Sequence, residues 1–294
     1  MLCKAILAMA INLHALAHTD GDENGLLQLQ NKSTTSIVVV SGCMSNPEDS
    51  YSEDICTIAK KNFKTYCDYH GYKLVFYTQL PPGSEDRAPH WSKILAVRNI
   101  LEFERVDYVF WMDSDSLFVN YSTSLKHYLP RGNSYMTFSG GDLCFLNSGH
   151  IMFKNDKWTL DFLKEVWKTY PSPEPWQDQS AMIYVMHKFS ASPEAKEKAT
   201  KCRDYMAMNN EDPEGCCNSK LVTGVDIRPH TELNALNFDR EGLSIVHYAG
   251  RSPEDKARQM AETAGKLVDL RIGSLVEVEG SAKTAKLHAS ALQD

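Results

Sequence analysis

No part of the sequence is strongly basic. Its 31 Lys and Arg are outnumbered by 38 Asp and Glu, a formal net charge of −7. With no dense basic cluster to offset that balance, a nucleic-acid partner is not expected. The 8 cysteines form no C-x-x-C pair and have no zinc-like spacing with histidine, which argues against a structural zinc site. After the N-terminal segment no run is long and apolar enough to span a bilayer. There is no internal repeat, and an apolar content of 43% over 294 residues is too high for bulk disorder. That length suits one large domain or two small ones.

The N-terminus carries a more specific pattern. Met1-Leu2-Cys3-Lys4 supplies one positive charge, Ala5 to Leu13 is a short apolar segment, and Ala15-Leu16-Ala17 is an A-x-A-like cleavage site. This is read as a signal peptide over 1–17; Asn12 and His14 interrupt it and make it too short for a spanning helix. Residues 18–35 are polar and rich in Gly, Asp and Asn, a linker. If Cys3 is removed with the signal, an odd set of cysteines remains. In an oxidising compartment Cys202 is expected to pair with one of the adjacent Cys216 and Cys217. The expected location is the secretory pathway (Golgi or ER lumen) or outside the cell if the signal is real, and the cytoplasm otherwise. Asn31-Lys32-Ser33 and Asn120-Tyr121-Ser122 are glycosylation sequons.

Ile37 to Gly42 reads as a buried strand, and Ser52 to His70 as a helix with Ile55, Ile58, Ala59, Phe63 and Tyr66 on one face. Gly71 caps that helix, and Tyr72 to Tyr77 is a second strand. Strand, helix and strand in this order form a βαβ unit, so a parallel sheet is expected. After a loop at Pro81 to Asp86, Trp91 to Glu104 is helical. Tyr135 to Phe138 and Asp142 to Phe153 are further strands, broken by turns at Gly140-Gly141 and Asn147-Ser148-Gly149. Trp158 to Trp167 and Gln177 to Phe189 are helices, and residues 191–220 are expected as a surface insertion. Leu243 to Tyr248 returns as a strand. Ser252 and Pro253 then open a C-terminal helix as N-cap and first residue.

The chain is organised around Val106 to Phe118. Tyr108-Val109-Phe110-Trp111-Met112 is apolar on both faces, as a strand buried inside a helix-covered sheet would be. Asp113 and Asp115 emerge at its C-terminal end, where open α/β sheets bind ligands. Two carboxylates separated by Ser114 can share a hard divalent cation, which completes its shell with substrate phosphates. The sequence offers nothing nearby to pair them, and a solvated Asp-Ser-Asp turn is the ordinary alternative. Asn147-Ser148-Gly149 is on the same grounds a turn, Asp178 a cap for a helix beginning near Gln179, and Trp111, Trp158 and Trp167 core residues.

Several separated segments resemble one family, the retaining, metal-dependent α-glycosyltransferases that include fungal α-1,6-mannosyltransferases, galactomannan galactosyltransferases and xyloglucan xylosyltransferases. The matching pieces are Tyr66-Cys67 with His70-Gly71-Tyr72, Trp91-Ser92-Lys93, Trp111-Met112-Asp113-Ser114-Asp115, Leu146-Asn147-Ser148-Gly149, Trp158 to Trp167, Asp178-Gln179-Ser180-Ala181 and His247-Tyr248-Ala249-Gly250. The resemblance implies a GT-A fold, a Rossmann-like α/β/α sandwich with a mostly parallel central sheet, over 36–251, followed by a helical, variable tail over 252–294. It implies Mn²⁺ (or Mg²⁺) on Asp113, Asp115 and His247. The donor would touch Ser41 and Gly42, Lys93, Ser114, the sugar-side Asn147, Ser148 and Gly149, and Gly250 with Arg251. Asp178 and Gln179 would stand beside donor sugar and acceptor as the catalytic pair. Plant members carry a lysine a few residues after the histidine, toward the leaving diphosphate; Ser252 stands at that spacing here, and Arg251 is its expected replacement.

The resemblance thus implies transfer from a UDP- or GDP-sugar to a hydroxyl of an oligosaccharide, polysaccharide or glycoprotein, with retention of configuration. Front-face attack and a short-lived glycosyl–enzyme at Asp178 both stay open, as do UDP-xylose, UDP-galactose and GDP-mannose as donors. A non-catalytic GT-A subunit binding within a transferase complex is the competing reading. A nucleotidyltransferase is the other, but it expects a Gly-rich basic loop after the first strand, and Ser41 to Ser50 holds neither Lys nor Arg. Imidazole ligates metal only when neutral, so metal affinity is expected to fall as pH drops through about 6.5.

Overall fold

Ile37-Val38-Val39-Val40-Ser41-Gly42 is buried along its whole length and forms β1 (Ile37–Gly42); β-branched residues suit a strand covered on both faces. The computed structural model describes residues 35–43, 53–140, 144–171, 177–205, 216–217, 219–238 and 243–268. The expected signal peptide, nearly all of the linker, the sequon at Asn31 and the tail beyond residue 268 lie outside the described residues.

α1 (Glu53–His70) opens on Glu53 and Asp54, acids that suit a helix N-terminus, and is followed by Gly71 at φ +72°. β2 (Lys73–Tyr77) pairs parallel to β1, completing the expected βαβ unit. A 3-10 turn at Pro89–Trp91 leads into α2 (Ser92–Phe103), and β3 (Tyr108–Met112) lies parallel to β1 on its other side. β4 (Ser116–Phe118) leaves the main sheet; β5 (Met136–Ser139) and β6 (Asn147–Lys154) rejoin it. α3 (Lys157–Lys168) starts under an Asp156 cap, and α4 (Asp178–Phe189) and α5 (Pro193–Tyr205) follow. β7 (Val225–Arg228), α6 (His230–Leu233), β8 (Ile245–His247) and a helix over 253–268, here α7, complete the described chain.

The main sheet has the order β2-β1-β3-β6-β5-β7, and β4 pairs with β8 in a separate two-stranded ribbon. Its pairings are parallel except where β6 runs antiparallel between β3 and β5. Alternation along the strands divides the core. Val38, Val40, Val109 and Trp111 face α2, α3 and α4 through Ile94, Val97, Phe162, Leu163, Met182 and Met186. Ile37, Val39, Phe110 and Met112 face α1, the ribbon and α7 through Ile55, Phe63, Leu117, Ile245 and Met260. The result is the expected α/β/α sandwich with a mostly parallel central sheet.

Two local expectations need correction, on the Asn147–Gly149 turn and on the core tryptophans. Asn147, Ser148 and Gly149 are the first residues of β6 rather than a turn: Asn147 pairs with Ser139, and its Oδ1 accepts from Gly149 N at 2.8 Å. The stretch 191–220, expected as a surface insertion, contains the helix α5. Trp158 and Trp167 are half-buried at the edge of the core, Trp158 stacked on Tyr135 with ring centroids 5.0 Å apart. β7 and α6 were not legible as elements. Among the described residues the cysteines pair as Cys43–Cys56, Cys144–Cys217 and Cys202–Cys216, leaving Cys67 as a buried free thiol; the adjacent Cys216 and Cys217 thus take different partners.

Candidate active site

β3 delivers Asp113 to the C-terminal edge of the sheet, where Asp113 N donates to Gly149 O at 2.8 Å. Trp111 and Asp113, two residues apart, share a side, and Trp111 Nε1 donates to Asp113 Oδ1 at 2.6 Å. The tryptophan expected as pure core therefore also orients an acid. Asp115 is the more buried of the pair, with side-chain exposure of 6% against 27% for Asp113. Its backbone carbonyl accepts from Tyr248 N at 2.8 Å, which fastens the end of β8 to the Asp-Ser-Asp segment.

β8 carries His247 into this corner. Nε2 lies 3.1 Å from Asp115 Oδ1 and 4.0 Å from Asp113 Oδ2. Nδ1 is hydrogen-bonded to Asn234 Oδ1 at 2.5 Å, in a segment where Ala235 N donates to Ile245 O and His247 N to Ala235 O. An amide oxygen only accepts, so Nδ1 carries the hydrogen and Nε2 is the nitrogen turned to the carboxylates. A ligand histidine is commonly oriented this way through its other nitrogen. Gly149 makes room: a Cβ there would lie 2.5 Å from His247 Cε1.

Ligand atoms of Asp113, Asp115 and His247 all lie within 4.8 Å of one another, close enough to share one cation. Two carboxylate oxygens and an imidazole nitrogen fit a divalent cation, and such a donor set leaves coordination positions for further oxygen ligands.

Lys93 links this group to α4. It is 5% exposed on the first turn of α2, with Nζ 3.2 Å from Asp113 Oδ1, 3.1 Å from Asp178 Oδ2 and 3.2 Å from Ser148 O. Burial disfavours the ammonium, but Asp113 and Asp178 outweigh it and hold Lys93 above the usual lysine range. Asp178 is the first residue of α4 and not its cap; the N-cap is Gln177, at φ +42°, with no side-chain capping bond. The Asp178 carboxylate is thereby left for Lys93. Gln179 Oε1 accepts from Ser148 N at 3.0 Å, tying α4 to the start of β6.

The expectation that nothing pairs the two acids is therefore wrong. Lys93, Trp111 and His247 reach them, and so does Lys256 of α7, whose Nζ lies 2.8 Å from Asp115 Oδ2. Burial works against an ionised Asp115, but His247 and Lys256 dominate and hold its carboxyl well below the usual carboxylate range. No local pattern links Lys256 or Asn234 to this centre, because each meets it only through the fold.

Ser41 and Gly42 end β1, next to β3 in the sheet, and Ser41 Oγ is buried with no hydrogen-bond partner among the described residues. Ser114 is buried between the two acids. Gly250 turns the chain at φ +71°. Arg251 is directed elsewhere than expected: its guanidinium bonds Leu236 O and Asn237 Oδ1.

Residues 33–137 match the galactosyl transferase GMA12/MNN10 family. "Probable glycosyltransferase 2" of Oryza sativa subsp. indica is 30% identical over 180 residues, 51% of this chain and 37% of that one. "Xyloglucan 6-xylosyltransferase 4" of Arabidopsis thaliana is 31% identical over 139 residues, 44% of this chain and 26% of that one. The matches thus span well under half the length of these curated relatives. Among solved structures, a glycosyltransferase involved in glycosylation of the major capsid of PBCV-1 aligns with a TM-score of 0.51 at 17% identity, over 77% of this chain and 99% of that one. The chain is thus similar over residues 33–137 to the galactosyl transferase GMA12/MNN10 family, and it shares the GT-A fold of that solved glycosyltransferase.

Proposed function

We propose that this chain transfers a sugar from a nucleotide-sugar to a hydroxyl of a glycan acceptor, with retention of configuration, at a centre where Asp113, Asp115 and His247 hold a divalent cation. The observation that carries the reading is the convergence of these three side chains within 4.8 Å at the C-terminal edge of the sheet. When bound, the cation supplies Lewis-acid neutralisation of the charge that grows on the departing diphosphate. The histidine nitrogen favours Mn²⁺ over the harder Mg²⁺.

The chain's own residues do the rest. Ser41, Gly42 and Ser114 line the nucleotide side, and Asn147, Ser148 and Gly149 the sugar side. Lys93 keeps Asp113 and Asp178 at a fixed separation, so the acid at the start of α4 stays registered to the acid at the end of β3. Asp178 and Gln179 orient donor sugar and acceptor hydroxyl. The three disulfides support a location in an oxidising compartment, the secretory pathway.

The test is turnover of a nucleotide-sugar panel (UDP-xylose, UDP-galactose, GDP-mannose) by the purified chain with Mn²⁺. Hydrolysis or transfer of one donor, lost in Asp113→Asn and Asp115→Asn, is the expected result. Full activity in either variant rejects the metal reading. NMR of the new linkage reads the anomeric outcome, and an inverted product rejects retention.

A further inference from the structure

Asp115 has no oxygen to spare. Oδ1 lies 3.1 Å from His247 Nε2, and Oδ2 lies 2.8 Å from Lys256 Nζ. Lys256 projects from the first turn of α7, a helix fixed at its start and again beyond its middle. Ser252 Oγ caps its start by accepting from Asp255 N at 3.2 Å. Further along, Met260 is buried in the core, and the Tyr248 hydroxyl donates to Thr263 Oγ1 at 2.7 Å. The ammonium therefore reaches a buried acid from an anchored backbone, along a side chain only 14% exposed.

A divalent ion bonded to a carboxylate oxygen sits about 2.1 Å from it. An ammonium 2.8 Å from that same oxygen uses the lone pairs the ion needs and repels it as a like charge. Lys93, the other cation at the centre, is held by Asp113, Asp178 and Ser148 together and does not contact Asp115 in this way.

We propose that Lys256 is the resident counter-ion of the centre, and that a divalent cation enters by displacing it from Asp115 Oδ2. This rests on the reading of Asp113, Asp115 and His247 as cation ligands. The centre then has two states: closed by Lys256 without metal, and loaded with Lys256 released. Metal occupancy is read out at the start of α7, and the same lysine that stabilises the metal-free protein weakens binding of the bare ion.

The test compares the full chain with Lys256→Met, which keeps an apolar stem without the charge, and Lys256→Gln as a second neutral variant. Each is titrated with MnCl₂ alone by calorimetry and melted in EDTA. Both variants are expected to bind Mn²⁺ about tenfold or more tightly than wild type, and to melt at lower temperature in EDTA. A merely structural lysine does not raise metal affinity when removed. Equal or weaker Mn²⁺ binding in both variants overturns the proposal. Asp113→Asn in the same titration separates this from the underlying reading: lost binding there, without a gain in the Lys256 variants, overturns the counter-ion role alone. Mn²⁺ binding indifferent to both Asp113→Asn and His247→Ala overturns the cation site itself.

Discussion

Gly149 shows how tightly single residues are constrained at this centre. An added Cβ would lie 2.5 Å from His247 Cε1 and 2.9 Å from Asn147 Oδ1, so Gly149→Ala must push the imidazole away from Asp115. The change is expected to lower Mn²⁺ affinity about 10- to 100-fold, the range seen when support for a metal ligand is lost. Calorimetry checks it, with circular dichroism to confirm an unaltered fold. Behind His247 lies His150, fully buried with Nε2 2.8 Å from Ser116 Oγ. Burial first, and then the neighbouring His247, press its pKa well below 6.5. The unfolded chain binds a proton there below about 6.5 while the folded one does not. This contribution to stability is full above that pH and is lost as pH falls, at up to about 1.4 kcal/mol per unit. Between pH 7.5 and 5 wild type should lose stability that His150→Gln does not, read by urea unfolding at each pH. Equal losses would mean that His150 titrates normally in the fold. At this scale the sequence was legible where chemistry is local. Asp113 and Asp115 announce themselves at a strand end, but Lys256 is 141 residues from the acid it pairs with.

Among the elements, most helices and strands were legible, and β4, β7, α5 and α6 were not. α1 and β1 carry their periodicity within one uninterrupted segment, whereas β4 is three residues long and takes its place by pairing with β8 across the fold. What fixes β4 is a side chain on α1. Asn62 Nδ2 donates to Phe118 O at 3.0 Å, and its Oδ1 accepts from Phe118 N at 2.8 Å, so an amide completes the outer edge of the ribbon. Asn62→Ala would leave both backbone groups buried and unpaired, a cost of about 3 kcal/mol. The exposed neighbour Lys61→Ala should change stability by no more than about 0.5 kcal/mol. Chemical denaturation distinguishes them, and similar values for the two would remove Asn62 as the tie. β7 and α6 went unread for a related reason: Val225-Asp226-Ile227-Arg228 has strand alternation too brief to stand out, and its place is set by β5.

Across the whole molecule, the sheet is built so that parts distant in sequence meet at one edge. The end of β3 delivers the two acids, the start of β6 supplies Gly149, β8 supplies the histidine, and α2, α4 and α7 contribute Lys93, Asp178 and Lys256. The disulfides join the same architecture, with Cys144–Cys217 closing 73 residues of sequence and Cys202–Cys216 tying α5 to Cys216. That breadth explains why the two acids stand out within one segment of sequence while the other residues gathered at this edge do not. The central claim is that His247 and the two aspartates hold a cation for a nucleoside diphosphate. The most direct measurement is calorimetric titration of UDP and of GDP, each with Mn²⁺ and with EDTA, into wild type and His247→Ala. Mn²⁺ should strengthen nucleotide binding to wild type, and that gain should vanish in the variant while metal-free binding and fold persist; an undiminished gain in His247→Ala would contradict the account.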